Sequence, residues 1–128
     1  MGLMAKRVLY IEDEEFFAKI ISKQLTEAGF EVVTAADGEG GLKAAQSESF
    51  DLVFLDIILP KLGGFDVLKA LKENPATKAI PVIILSNLSS KEDERKAREL
   101  GAAKFCVKMS TYPQQVVRIA TDFLKKEP

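Results

Sequence analysis

The chain has no histidine, no tryptophan and a single cysteine among its 128 residues. These counts exclude a disulfide framework and any zinc site built from the usual nitrogen and sulfur ligands. Cys106 stands between Phe105 and Val107, a setting that favours a buried, inert thiol. A metal site in this chain would therefore rely mainly on oxygen ligands.

Long apolar runs and a strong excess of one charge are also missing. No run approaches the length of a membrane span, and the first residues lack the apolar core of a signal peptide. The net charge is only -1 at pH 7, whereas nucleic acids and anionic membranes bind concentrated basic surfaces. We expect a cytoplasmic protein without a direct nucleic-acid or membrane partner. Its length predicts one domain, which we place at residues 4–126, with residues 1–3 as a candidate expression remnant.

Apolar runs that end in polar residues recur along the chain and alternate with helical patterns. Unbroken runs predict strands buried on both faces of a parallel sheet, and the less apolar second run suits a sheet edge. Glu14 and Glu15 suit the start of the first helix, where the macrodipole favours negative charge. We predict an α/β, doubly wound (βα)5, flavodoxin-like fold, with helices on both faces of a five-stranded parallel sheet of order 2-1-3-4-5. The strand segments are residues 8–11, 31–35, 52–55, 82–85 and 104–107.

Polar side chains follow the carboxyl ends of four predicted strands. Glu12 and Asp13 follow the first strand, Asp56 the third, Ser86 the fourth and Lys108 the fifth. In the predicted strand order these ends meet at one rim, beside the switch point between strands one and three. Each residue alone fits a capping or surface position, but their shared position indicates a site.

The chemistry of this rim is that of a hard oxygen site. Carboxylates from Glu12, Asp13 and Asp56 suit Mg2+, and Mn2+ would be satisfied by the same ligands. Asp56 can also act as a nucleophile that accepts a phosphoryl group as an acyl phosphate. The negative charge spread over the transferred group calls for nearby donors, which Lys108 and Ser86 would supply.

The rim residues occur in a specific order and spacing. In this pattern the chain resembles, over essentially its whole length, a chemotaxis-regulator-like receiver domain of the response regulators of bacterial two-component signalling. The resemblance implies magnesium-dependent transfer of a phosphoryl group to Asp56 from a histidine kinase or phosphotransfer protein. The backbone carbonyl of Ile58 would be a further metal ligand. The resemblance implies a signalling phosphoacceptor rather than an enzyme, with at most slow self-phosphorylation from small donors and slow autodephosphorylation. The motifs are residues 10–13, residues 55–60 with Gly64, residues 84–86 and residues 101–108.

A conformational switch is also implied by the resemblance. The Ser86 hydroxyl would move toward the phosphate, and Phe105 would turn inward behind it. The surface of helix four, strand five and helix five would then bind a downstream protein partner, with the domain as a monomer or a phosphorylation-dependent dimer. The fourth helix, dense in charge with few apolar residues, agrees with such a role.

Several residues depart from the family pattern, and two of them bear on the site. Met109 follows Lys108, where the family usually has proline, often through a cis bond. A cis bond without proline costs about 2.5–4 kcal/mol, which favours a trans bond and a differently aimed lysine. Asn87 stands where a small residue is common, so it could crowd or hydrogen-bond the phosphoryl group. Both leave open a degenerate receiver that binds partners without phosphorylation. A phosphoaspartate hydrolase is disfavoured, because Ile58 stands where it would need a second acid.

Overall fold

The computed structural model describes residues 5–88 and 90–124, so both predicted domain limits, Met4 and Lys126, lie outside the described part of the chain. Within that part, strands and helices alternate. The strands are β1 (Arg7–Ile11), β2 (Glu31–Ala35), β3 (Leu52–Leu55), β4 (Val82–Ser86) and β5 (Lys104–Val107). The helices are α1 (Glu15–Glu27), α2 (Gly38–Ser47), α3 (Gly64–Glu73), α4 (Lys91–Glu99) and α5 (Pro113–Leu124), with a 3-10 turn at Lys108–Ser110.

All strand pairs are parallel, in the order β2-β1-β3-β4-β5. Ile11 of β1 pairs with Leu55 of β3, which places the residues that follow both strands side by side. On the other side of β3, Leu55 pairs with Ile84 of β4. The predicted doubly wound fold and its strand order are confirmed.

Two apolar layers cover the sheet, one on each face. Helices α2, α3 and α4 pack on one face and α1 and α5 on the other. Because successive residues of a strand point to opposite faces, Leu9 joins the first layer and Val8 the second. Strands β1, β3 and β4 are almost wholly buried and β2 is not, so the predicted edge position of β2 is confirmed. None of the helices in the described residues has both the length and the hydrophobicity to span a bilayer.

Helix α4 is anchored by few apolar contacts. Ala97 is its one fully buried residue. The helix begins at a Ser90 cap, whose hydroxyl oxygen accepts a hydrogen bond from the backbone N–H of Asp93 at 3.0 Å. Arg95 pairs with Glu92 and Glu99 on the exposed face, and exposed ion pairs of this kind contribute at most about 1 kcal/mol each. The prediction of a weakly anchored, charged fourth helix is confirmed.

Candidate functional site

The carboxyl ends of β1, β3 and β5 bring four of the predicted site residues together. Glu12 and Asp56 are each 2% exposed and Lys108 is 4% exposed, whereas Asp13 faces solvent. The burial of three charged groups at one place is unusual unless the charges are paired. An open cleft of about 190 Å3 at this rim is lined by Asp13, Glu14, Asp56, Ile58, Asn87 and Lys108.

The three acids form a compact cluster. Glu12, Asp13 and Asp56 each offer a carboxylate oxygen, and these oxygens all lie within 4.8 Å of one another. Three negative oxygen donors at such spacing repel one another unless a cation lies among them. The donor set contains only hard oxygens and one of the acids is open to solvent, so the cluster fits a small hard dication that retains water ligands.

Lys108 supplies a positive charge to this cluster. Its Nζ lies 2.7 Å from Asp56 Oδ2, 3.0 Å from both carboxylate oxygens of Glu12 and 2.8 Å from Glu14 Oε1. Nζ also lies 4.8 Å from the centre of the Phe17 ring, within cation–π range. Burial lowers the pKa of Lys108, but its hydrogen bonds to Asp56, Glu14 and Glu12 outweigh burial and raise the pKa above its ordinary value. The lysine is therefore protonated at neutral pH.

Asp56 is held in one orientation by the backbone around it. Its Oδ1 accepts a hydrogen bond from the Ile58 N–H at 3.0 Å, and its own N–H donates to the Ile11 carbonyl at 3.1 Å. The chain then folds back tightly, because a Cβ at Gly64 would lie 2.4 Å from both the Asp56 carbonyl oxygen and Ile57 Cα. A side chain at position 64 would push this loop away from Asp56.

Tyr10 belongs to the site although the sequence analysis assigned it no role there. Its hydroxyl donates a 2.8 Å hydrogen bond to Glu12 Oε1, while the backbone N–H of Glu14 donates to Oε2 at 3.1 Å. Burial raises the pKa of Glu12, and the hydrogen bonds from Lys108 and Tyr10 oppose that rise. Burial also raises the pKa of Tyr10, so it remains a donor. The spacing of Tyr10 and Glu12 could have predicted this contact, since residues two apart on a strand point to the same face.

Glu14 has a role that differs from the predicted one. It occupies the N-cap of α1, but its side chain makes no capping hydrogen bond and instead pairs with Lys108. Glu15 lies in the first helical turn as predicted. The two partners of the Glu14 ion pair are 94 residues apart, and no local pattern predicts such a contact.

Ser86 and Phe105 are not part of the acid cluster and do not line the cleft. Ser86 is fully buried, and its hydroxyl oxygen is 3.5 Å from the Leu88 N–H that donates to it. None of the hydrogen bonds found in residues 5–88 and 90–124 joins Ser86 to Asp56. Phe105 is half-buried against the layer formed by α2, α3 and α4. The roles predicted for both residues remain predictions.

The loop after β5 differs in one respect from expectation. Peptide bonds in the described residues are all trans, so the trans Lys108–Met109 bond is confirmed. The lysine nevertheless contacts Asp56, so the expectation of a differently aimed side chain is wrong. Asn87 lines the cleft, and its amide oxygen accepts a hydrogen bond from the Met109 N–H.

Known proteins share this sequence pattern. Transcriptional regulatory protein CusR of Escherichia coli (strain K12) is 36% identical over 115 residues, which are 90% of this chain and 50% of the relative. Alkaline phosphatase synthesis transcriptional regulatory protein PhoP of Bacillus subtilis (strain 168) is 36% identical over 105 residues, 82% of this chain and 43% of the relative. The chain thus spans about half the length of these curated relatives.

Solved structures and family models agree with these relatives. Chemotaxis protein CheY4 of Vibrio cholerae superposes with a TM-score of 0.87 at 29% identity, covering 94% of this chain and 99% of that one. The family model described as the response regulator receiver domain matches residues 8–120, which include every site residue described above. The chain therefore belongs to the receiver-domain family of two-component response regulators.

Proposed function

We propose that the domain is a phosphoacceptor, which takes a phosphoryl group onto Asp56 from a phosphohistidine on a histidine kinase or a phosphotransfer protein in the cytoplasm. The observation that carries this proposal is the buried Asp56 carboxylate with the Lys108 Nζ 2.7 Å from its Oδ2. The two further acids, Glu12 and Asp13, lie within 4.8 Å. A nucleophile beside both a fixed cation and a dication-binding cluster is suited to attack on an anionic group.

The reaction is a single exchange of bonds at phosphorus. A carboxylate oxygen of Asp56 forms a bond to phosphorus while the bond from phosphorus to the donor nitrogen breaks, and that nitrogen keeps the electron pair. Lys108 stays protonated and donates to the phosphoryl oxygens as charge develops on them. Ser86, at the end of the neighbouring strand β4, supplies a hydroxyl donor after a short movement.

Glu12, Asp13, Asp56 and the backbone carbonyl of Ile58 would hold Mg2+, and Mn2+ would suit the same oxygens. When bound, the ion screens the negative charge of the incoming phosphoryl group from the carboxylates. Tyr10 and the Glu14 N–H each donate to one oxygen of Glu12. They orient this ligand before any ion arrives, as outer-shell donors do in other metal sites.

The downstream surface would be formed by α4, β5 and α5. In the β4–β5 register Ile84 pairs with Phe105 and Ser86 with Val107. Ser86 points to the same face as Ile84, because they are two residues apart on the strand, and this face lies under α4. A movement of Ser86 toward Asp56 would therefore act on the layer that holds Phe105 and the weakly anchored α4. A protein partner would distinguish the two states at this surface.

We also propose that the domain acts as a stoichiometric switch rather than as an enzyme with turnover. Self-phosphorylation from small donors would be slow, because no partner then orients the donor. Asp13 is exposed and the cleft is open, so water reaches the acyl phosphate and hydrolyses it slowly.

Intact mass spectrometry after incubation with acetyl phosphate and Mg2+ tests the proposal. We expect one added phosphoryl group on the wild-type protein and on Asp122→Asn, an exposed acid of α5 that serves as the control. The addition should disappear with a chelator and in Asp56→Asn. Folded wild-type protein that gains no mass would overturn the proposal and favour a degenerate receiver that binds partners without phosphorylation.

A further inference from the structure

The ends of β4 and β5 are joined beyond the sheet by a hydrogen bond between a side chain and the backbone. Asn87, which follows the last residue of β4, accepts a hydrogen bond from the Met109 N–H through its Oδ1 at 2.9 Å. The last pair in the β4–β5 register is Ser86 with Val107. The Asn87 side chain thus continues the connection between the two chain segments after the register has ended.

This hydrogen bond requires a residue other than proline at position 109, because proline has no backbone N–H. Met109 supplies the donor, and its peptide bond is trans. Its side chain is 81% exposed, so packing of the methionine contributes little to holding the segment. The hydrogen bond from its backbone N–H therefore helps to fix residue 109, together with the turn that contains it. Two of the positions that depart from the family pattern, 87 and 109, thus contact each other.

The segment fixed in this way carries Lys108. A 3-10 turn runs through Lys108–Ser110, and the Thr111 hydroxyl donates to the Val107 carbonyl at 2.7 Å. The bond from Asn87 reaches the residue directly after Lys108. It fixes the backbone from which the lysine side chain extends to Asp56 and Glu12.

We propose that Asn87 is a positioning residue which, through the Met109 N–H, holds the loop after β5 so that Lys108 faces Asp56. The proposal rests on the proposed phosphorylation of Asp56 for its functional consequence. Asn87 acts on Lys108 through the backbone of the next residue, Met109. Loss of the amide oxygen leaves Lys108 free to move away from the acids.

A double-mutant cycle tests this coupling. The variants are Asn87→Ala, Met109→Pro, which removes the donor, and Met109→Ala, which keeps the N–H and is the matched control. The first readout is the rate of phosphorylation by acetyl phosphate with Mg2+. We expect Asn87→Ala to slow the rate about threefold to tenfold, the range for one hydrogen bond, in the wild-type and Met109→Ala backgrounds. In the Met109→Pro background the same change should slow the rate less than about twofold.

A second readout does not depend on phosphorylation. Peptide mapping after reaction with an amine acetylating reagent should show Lys108 reacting several times faster in Asn87→Ala than in the wild type. Lys72 is the internal control, because its partly buried Nζ donates to the carbonyls of Lys78 and Ile80, far from the loop after β5. General loosening of the fold would expose both lysines, whereas a local change would expose Lys108 alone.

The two readouts separate the outcomes. Equal effects of Asn87→Ala in the wild-type and Met109→Pro backgrounds would overturn the proposal, since Asn87 would then act by a route other than the N–H. Unchanged Lys108 reactivity in Asn87→Ala would overturn it as well. If the wild-type protein is not phosphorylated at all, the proposed function fails, and Lys108 reactivity in the wild type and in these variants still decides whether Asn87 positions the lysine.

Discussion

Lys108 and Asp56 stand 2.7 Å apart, from Nζ to Oδ2, although 52 residues separate them in the chain. Both side chains are 3% exposed, so the ion pair is shielded from water. A buried pair of this kind is not strong evidence for net stabilisation, but the removal of one partner leaves the other charge buried and unpaired. The stability of the domain should therefore respond to the loss of the lysine and to the presence of a dication.

Lys108→Met should lower the free energy of unfolding by about 3 kcal/mol in metal-free buffer, because Glu12 and Asp56 lose their cation. With Mg2+ present the loss should be smaller, since a bound dication offsets the same carboxylates. Urea unfolding in chelator and in Mg2+ measures both values. The exposed Lys104→Met on β5 is the control and should change stability little. Equal losses for the two variants would contradict a buried charge cluster.

Tyr10→Phe should lower both the stability of the domain and its affinity for Mg2+. The lost hydroxyl donates to Glu12 Oε1 in a buried hydrogen bond, and hydrogen bonds to charged groups contribute roughly 1.5–3 kcal/mol. We expect a loss of about 2 kcal/mol in unfolding free energy and Mg2+ affinity roughly 10-fold to 100-fold lower, the range for outer-shell donors. Calorimetric titration with Mg2+ measures the affinity. Tyr112→Phe, at a residue that is 72% exposed, should leave both quantities unchanged.

Substitution by alanine should have very different effects at the two adjacent glycines that begin α3. A Cβ at Gly64 would overlap the Asp56 carbonyl oxygen and Ile57 Cα, at 2.4 Å from each, so Gly64→Ala should cost about 3 kcal/mol through backbone displacement. At Gly63 the nearest atom is 4.0 Å away and φ is -68°. Gly63→Ala should change the free energy of unfolding by less than about 1 kcal/mol, because alanine restricts the unfolded chain but is a poorer N-cap than glycine, and Gly63 is the N-cap of α3. Urea unfolding of the two variants decides the comparison, and similar losses would argue against the close approach at Gly64.

Because of Cys106, the stability of the domain should fall as the pH rises into the alkaline range. Burial raises the pKa of this thiol above its ordinary value of 9.0. Between 9.0 and the folded pKa, the unfolded chain therefore loses a proton that the folded chain retains. Stability falls with rising pH in that window, because ionisation then favours the unfolded state. Urea unfolding from neutral pH to above 9.0 should show a steeper decline for the wild type than for Cys106→Ala. Parallel declines would contradict a buried, protonated thiol.

The parallel sheet and the identity of the main rim residues could be predicted because both depend on patterns that extend along the chain, whereas the predicted strand order was the common one for a doubly wound chain of this size. Unbroken apolar runs mark strands covered on both faces, and the parallel crossover rules then bring the residues after β1, β3 and β5 to one edge. Glu12, Asp56 and Lys108 follow from this reasoning without any knowledge of side-chain positions. Their roles in phosphoryl transfer remain predictions.

Contacts that depend on side-chain conformation could not be predicted from the sequence. Glu14 fits a helix start by local rules, and its ion pair with Lys108 depends on how the lysine extends across the rim. The Asn87 amide oxygen accepts its hydrogen bond from Met109, which lies 22 residues away in the chain. A local pattern carries no information about such pairs, whereas strand ends are placed by the topology.

The acids of the rim and their lysine are added to the growing chain at very different times. Pairing of β1 with β3 is enough to bring Glu12 and Asp56 together, and both strands precede residue 56. Lys108 arrives only after β5, the last strand at the edge of the sheet. Because synthesis delivers the amino-terminal part first, a nascent sheet without β5 would hold two buried acids with no lysine beside them. Arrival of the final strand completes the hydrogen bonding of β4 and places a positive charge beside the acids in one event, so a sheet without β5 is less stable on both counts.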